Sequence, residues 1–240
     1  MSPQIPGMPT PPPTDPGQGA HGSQPIYSRA DDVAFAHVAL SAQLAADAIG
    51  LTHAADHLRH YLSNSGDDLK IDPDQIMNDD PKLKQHVDSF VTKTVQKIAS
   101  DAANYNKSVS FQSDWYDYSF PEYGERDWFL AIGSVEASTS GVVTTTPPDT
   151  DGAQPRVTID YQVHLFDRYN WDGTKETEIA GIKFTDARLG ALHTAGLAKE
   201  FNMYGSSTTK HYEGVLPAYG SIDLPSGPDS RGGTRTDPTR

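Results

Sequence analysis

Apolar positions along the chain recur with two different periods, and the change from one to the other divides it. Up to about residue 104 the spacing is three and four. Val33, Ala36, Leu40 and Leu44 predict a first amphipathic helix, opened by Ser28-Arg29-Ala30-Asp31 as a capping box with Ser28 at the N-cap and stopped by Gly50. Leu51, Ala55, Leu58 and Leu62 predict a second, capped by Thr52 and ended by Asn64-Ser65-Gly66. Asp72-Pro73 opens a short turn of helix holding Ile76 and Met77. Asp80-Pro81 opens the strongest helix, with the stripe Leu83, Val87, Phe90, Thr94, Ile98 and Ala102.

Beyond Asn104 the period becomes two. Val109, Phe111, Ser113 and Trp115 alternate with polar residues, as do Trp128, Leu130 and Ile132. Residues 141–146 are rich in Val and Thr, and Pro147-Pro148-Asp149 with Asp151-Gly152 closes that strand in a turn. Residues 156–171 form the longest strand candidate, residues 179–184 a further one, and Thr185 caps a last helix running to about Phe201. Helices come first, then strands, then one helix, with no regular βαβ alternation. This order predicts an α+β fold: N-terminal helices packed on an antiparallel sheet of about five strands, and one C-terminal helix.

Composition sets the ends apart. Residues 1–25 hold eight of the 18 prolines, and four more lie from Pro217 onward. Such segments bury too little apolar surface to offset the entropy of ordering. The expected organisation is a Pro-rich disordered or extended arm over 1–26, a helical region over 27–104, a β-rich region over 105–218 that forms one compact domain with it, and a disordered tail over 219–240. The net charge of −13, without a basic cluster, argues against sequence-independent nucleic-acid binding, which rests on many Lys and Arg contacts to phosphate. Cysteine is absent, so disulfides, thiolate zinc sites and cysteine nucleophiles are excluded. No apolar run is long enough for a transmembrane helix. No basic segment followed by an apolar one opens the chain, so export would need a route other than a signal peptide; otherwise the protein stays in the cytoplasm.

Four stretches carry candidate chemistry. In "HAADHLRH", His53, His57 and His60 stand within roughly 60° of one another on the second helix, opposite its apolar row. They are either metal ligands or part of a solvated polar face. The acidic pairs Asp149/Asp151, Asp79/Asp80 and Asp72/Asp74 read as turn and helix caps rather than calcium loops, since no distal Glu completes an EF-hand. In "LHTAGLAKEF", His193 beside an apolar row is a core-edge residue, or a base oriented by Asp186. The fourth stretch, "DYQVHLFDRYNWDG", is the most informative. Val157, Ile159, Tyr161, Val163 and Leu165 form a core face, with Asp160, Gln162, His164 and Phe166 opposite. Strict alternation would then bury Asp167, which is costly for a lone carboxylate. The strand is therefore expected to bulge or end at Asp167 and to gather Asp167, Tyr169, Asn170 and Asp172 at the sheet edge, either as a structural turn or as a catalytic cluster with His164 or His193 as acid or base. These residues specify no cofactor, although a divalent metal is compatible with them.

"DYQVHLFDRYNWDG" followed by "LHTAGLAKEFNMYGSS" resembles C-terminal domains of bacterial polymorphic-toxin and exported-effector proteins, in which an Asp-x-Tyr-Asp/Asn-aromatic strand end precedes a helix with a His-x-x-Gly-Leu-Ala pattern. "RHYLSNSG" followed by an Asp-Pro helix accompanies it, and the resemblance spans about residues 55–215. A more distant likeness is to colicin M-type lipid II hydrolases: Asp167 and Tyr169 match an Asp-x-Tyr-Asp strand end, Asn170 stands where the second Asp belongs, and Glu176-Thr177 takes the place of a His-Arg pair. The resemblance implies an exported effector or toxin-like domain, a hydrolase of cell-envelope precursors, with an immunity-like or delivery protein as partner. The alternative is a non-catalytic interaction module presented by the Pro-rich arm.

Overall fold

Two long neighbouring strands organise the molecule. The computed structural model describes residues 3–15, 17–171, 173, 176–179 and 181–227. Its helices are α1 (Ala30–Ala48), α2 (Thr52–Leu62), α3 (Pro73–Asp79), α4 (Pro81–Ala99), α5 (Arg126–Ala131) and α6 (Asp186–Thr194). Its strands are β1 (Leu69–Lys70), β2 (Ser108–Gln112), β3 (Tyr116–Ser119), β4 (Ser134–Thr146), β5 (Arg156–Tyr169), β6 (Glu176–Ile179), β7 (Ile182–Thr185), β8 (Phe201–Ser206) and β9 (Lys210–Val215). The class is α+β, as the order of patterns predicts.

β4 and β5 pair antiparallel from Glu136↔Phe166 to Thr146↔Arg156. The free edge of each is shared by two short strands. β2 and β3 take successive halves of β4, and β9 and β8 take successive halves of β5. β1 then adds to β8 in parallel, so the seven-stranded sheet is mixed rather than purely antiparallel. β6 and β7 form a separate hairpin.

The inner sheet face carries the core row read from the sequence. Val157, Ile159, Tyr161, Val163 and Leu165 are all buried, and α4 packs against them through Leu83, Val87, Val91 and Val95. A second apolar cluster joins α1, α2 and α6 to Tyr169, Phe201 and Met203. Among the described residues, no helix is long and apolar enough to cross a membrane.

Several elements depart from the expectation for identifiable reasons. α1 is rotated: Val33, Leu40 and Leu44 are 44%, 47% and 61% exposed, while Phe35, Ala39, Ala42 and Ala46 are buried. The small alanines let α2 approach closely, and that packing outweighs the larger apolar row. Ser28 does not cap α1; its hydroxyl donates to the Pro25 carbonyl instead. Nor does Thr52 cap α2, whose cap comes from α5. α4 buries Leu83 and Val87 as expected, but farther along it buries Val91 and Val95 in place of Phe90 and Thr94. Trp128, Leu130 and Ile132 do not make a strand: residues 126–131 are helical, and Trp128 and Ala131, three apart, are the buried pair. Residues 179–184 are interrupted by a turn at Gly181, whose φ of 79° suits glycine, so one expected strand becomes the β6–β7 hairpin. The last helix stops at Thr194, and β8 and β9 follow.

The described part of the arm is tied to the body, and residues 17–22 turn rather than extend. Carbonyls of Pro6, Gly7 and Thr10 accept hydrogen bonds from the sheet, and the amides of Gly22 and Gln24 donate to His193 and Thr194 carbonyls. At the other end Ile222 and Leu224 are buried, and the Ile222 amide donates to Thr92 Oγ1 at 2.9 Å. Residues up to 227 of the expected tail are thus part of the described structure, and residues 228–240 lie outside the described residues.

Candidate functional site

β5 outruns its partner. Pairing with β4 ends at Glu136↔Phe166, and the first residues of β4, Ser134 and Val135, are paired with β3 on the other side. Asp167, Arg168 and Tyr169 continue in unbroken register with β8, through Asp167↔Met203, Arg168↔Asn202 and Tyr169↔Phe201. The bulge or strand end expected at Asp167 does not occur. Asp167 escapes full burial in another way. Where that pairing stops, the corner Ile132-Gly133-Ser134 and the β6–β7 hairpin close around a cavity of about 270 Å³, and Asp167 lines that space half-buried.

Among the described residues, three carboxylates from three elements line this cavity: Asp167 from β5, Glu176 from β6 and Asp186 from the first turn of α6. Thr185 caps that turn, its hydroxyl accepting the Arg188 amide at 3.2 Å. The apolar part of the wall is Phe129, Trp171, Phe184 and Tyr169. Tyr169 stacks on Phe201 at 4.9 Å and meets the Trp171 ring edge-on at 5.3 Å. Burial pushes the Tyr169 hydroxyl well above the usual tyrosine range. It therefore stays protonated, and Tyr169 is floor rather than base. Trp171 Nε1–H is buried without a hydrogen-bond partner among the described residues, which leaves a donor for water or a ligand. Gly190 makes the wall possible: a Cβ there would stand 2.4 Å from the Trp171 carbonyl oxygen.

The residues expected in one cluster fall in separate places. Asp167, Tyr169 and Asn170 line the cavity together, whereas Asp172 lies outside the described residues. His164 sits on the opposite, outer face of the sheet, fully buried between two serines. Ser140 Oγ donates to the Pro6 carbonyl at 2.6 Å and so accepts from His164 Nε2–H at 2.8 Å; His164 Nδ1 is then left to accept from Ser206 Oγ–H at 2.8 Å. Burial lowers the His164 pKa, consistent with this neutral tautomer. His193 lines a more open groove of about 530 Å³ with His21, Arg168, Lys199 and Glu200. The carboxylate beside its ring is Glu200 rather than Asp186, and the ring is held by the Glu200 backbone. The Glu200 amide donates to His193 Nδ1 at 3.1 Å, Glu200 Oε2 lies 4.0 Å from His193 Nε2, and the same oxygen accepts from Arg168 at 3.1 Å. Burial first, then the neighbouring His21 and Arg168 charges, lower the His193 pKa.

The histidine row of α2 faces protein rather than solvent. His53 stacks on Trp128 at 3.8 Å, His57 is buried with Nδ1 on its own-turn carbonyl of His53 at 2.7 Å, and His60 Nε2 meets the Asp67 carbonyl at 2.8 Å. The three rings thus point at different partners, and among the described residues no group of three or more His, Asp or Glu is arranged to hold a metal ion. Asp72 and Asp80 cap α3 and α4, as their Asp-Pro signals predict. Asp74 instead forms a buried ion pair with Lys210.

Sequence reasoning did not anticipate Glu176 or Trp171 in the cavity wall, nor the part Asp186 plays there, because nothing local relates them to Asp167. It also missed the cross-strand pair Asp117↔Glu136 on the outer face. Burial, and then the Asp117 carboxyl, hold the Glu136 carboxyl at about 7. Compared with protein-family models, with curated proteins and with solved structures, the chain matches none.

Proposed function

We propose that this chain is an effector or toxin-like domain with a hydrolase site in the cavity at the end of β5. The observation that supports it is the convergence of Asp167, Glu176 and Asp186, from three elements, on one concave space with an aromatic floor. Two carboxyls facing one cavity are the minimum for hydrolysis by a base that activates water and an acid that protonates the leaving group. Asp167 and Asp186 take these roles here. Asn170 and the Trp171 N–H orient the substrate, and Tyr169 holds the floor.

Among the described lining residues, three carboxylates stand against the guanidinium of Arg168, which favours a neutral or cationic reacting group over a polyanion. Within cell-envelope precursors, that points to sugar or peptide parts rather than the pyrophosphate. An immunity-like partner in a producing cell would have to block this cavity.

Expression in a bacterial host, directed separately to cytoplasm and periplasm, tests the reading. Wild type should arrest growth in one compartment, and the Asp167→Asn/Asp186→Asn variant, folded to the same extent, should not. Equal growth of wild type and variant in both compartments would overturn it.

A further inference from the structure

The arm lies on the outer sheet face, the side opposite the cavity, and its exposure has a period of three. Over residues 3–10, Pro3, Ile5, Pro6, Met8 and Pro9 are half-buried and Gln4, Gly7 and Thr10 are exposed; beyond them Pro12 is half-buried, while Pro11 and Pro13 are exposed. A polyproline II helix has three residues per turn, so these are two rows facing the sheet and one facing solvent. The sequence enforces the conformation: each proline holds its own φ near −65° and pushes the preceding residue into extended backbone.

The contacts belong to the same mode of recognition. Among the described residues, no backbone–backbone hydrogen bond joins residues 3–15 to the sheet, so the arm is not an added strand. Side-chain donors read its carbonyls instead: Ser140 Oγ on Pro6 at 2.6 Å, Gln112 Nε2 on Gly7 at 2.7 Å and Trp115 Nε1 on Thr10 at 2.9 Å. These donors come from β4, β2 and the β2–β3 loop, and Trp115 is braced edge-on against Phe166 at 6.2 Å. An aromatic-braced groove whose side chains donate to the free carbonyls of a polyproline II chain is a proline-segment reader. Under the arm, Ser138, Ser140 and His164 are fully buried although they lie on the polar face.

We infer that this face is a recognition groove for a proline-rich segment of a partner protein, one with apolar–proline pairs three residues apart. The chain's own Ile5-Pro6 and Met8-Pro9 occupy it in cis and display the pattern it reads. A ligand tethered in cis competes at an effective concentration in roughly the millimolar range, so an incoming segment must displace it and binds the intact chain weakly. The groove and the cavity lie on opposite sheet faces, so this inference stands or falls apart from the hydrolase reading.

The test uses the full chain and a fluorescein-labelled synthetic peptide of residues 3–15, followed by fluorescence anisotropy. An arm variant, Ile5→Ser/Pro6→Ser/Met8→Ser/Pro9→Ser, leaves the groove untouched and should bind the peptide at least about tenfold more tightly than wild type. Adding Trp115→Ala to that variant, or Gln112→Ala as the milder surface change, should remove the gain, as should a peptide with Ala at positions 3, 6, 9 and 12. The inference is overturned if the arm variant binds no more tightly than wild type, or if the Trp115 and Gln112 changes leave its affinity unaltered. It is also overturned if the peptide with Ala at positions 3, 6, 9 and 12 binds equally well. Concentration-dependent dimerisation of wild type, abolished by the arm substitutions, would assign the groove to the arm of a second copy and overturn the partner reading.

Discussion

The carboxylate of Asp127 caps the helix that Ala54 helps to begin: its oxygens accept the amide hydrogens of Ala54 and His53 at 2.8 and 3.0 Å. The cap is supplied from α5, 73 residues along the chain, and it sets α2 beside the corner that leads into β4. Asp127→Ala leaves two first-turn amides without acceptors and should cost about 1–2 kcal/mol in urea denaturation, with Asp127→Asn costing less. Equal stability of wild type and Asp127→Ala would show that solvent replaces the cap.

Gly190 is the close-approach position beneath the cavity wall. Gly190→Ala should push the Trp171 backbone away and cost about 1–3 kcal/mol, because neighbouring atoms must move to admit even one methyl group. Trp171 fluorescence, isolated in a Trp115→Phe/Trp128→Phe background, should shift in this variant and not in Gly152→Ala, where no atom lies near the added methyl.

Lys210 and Asp74 form an ion pair buried beneath the sheet, and Thr208 donates its amide and hydroxyl to the same carboxylate, both at 2.7 Å. Removing one partner strands the other. Lys210→Met should therefore cost about 3–5 kcal/mol by chemical denaturation, whereas Asp74→Leu/Lys210→Met should recover most of that loss.

Acidity acts on the fold in two opposing ways. Burial lowers the pKa of His57, His164 and His193, so the unfolded chain takes up protons first, and the stability these rings contribute is lost as pH falls below their ordinary range near 6.5. Glu136, held at about 7, has the opposite sign: its contribution is present below about 4.5 and is lost as pH rises to 7. Melting temperature should fall from pH 7 to pH 5 in wild type. Glu136→Gln should steepen that fall, melting higher than wild type at pH 8 and equal to it near pH 4.5.

The two faces of α1 make a direct comparison. Leu40→Gln and Leu44→Gln alter an exposed row and should each change stability by less than about 0.5 kcal/mol. Ala42→Leu places bulk at the α1–α2 contact and should cost about 1–3 kcal/mol in the same denaturation assay.

These cases show how far local pattern reaches. The row Val157 to Leu165 was legible because five alternating apolar residues admit one solution, a strand with a buried face. The Asp-Pro starts of α3 and α4 and the Thr185 cap of α6 were legible because capping is settled within four residues. The orientation of α1 was not, since its alanine face is chosen by the helix that packs on it. The α5 segment was misread because four residues with a period of two are also a helical turn with a buried i, i+3 pair.

The candidate site divides in the same way. The sequence by itself marked Asp167, through the conflict between strand alternation and the cost of burying a charge. Only the tertiary structure resolved that conflict, by ending the β4–β5 pairing at Phe166 and opening a cavity beside the carboxylate. It also brought Glu176 and Asp186 to the cavity, separated His164 and His193 from it, and laid the Pro-rich arm on the outer face. The physical reason is that periodicity, capping and φ restriction act over a few residues and are written locally. Which strand outlasts its neighbour, and which carboxylates then face the gap, depends on packing between segments far apart in the chain.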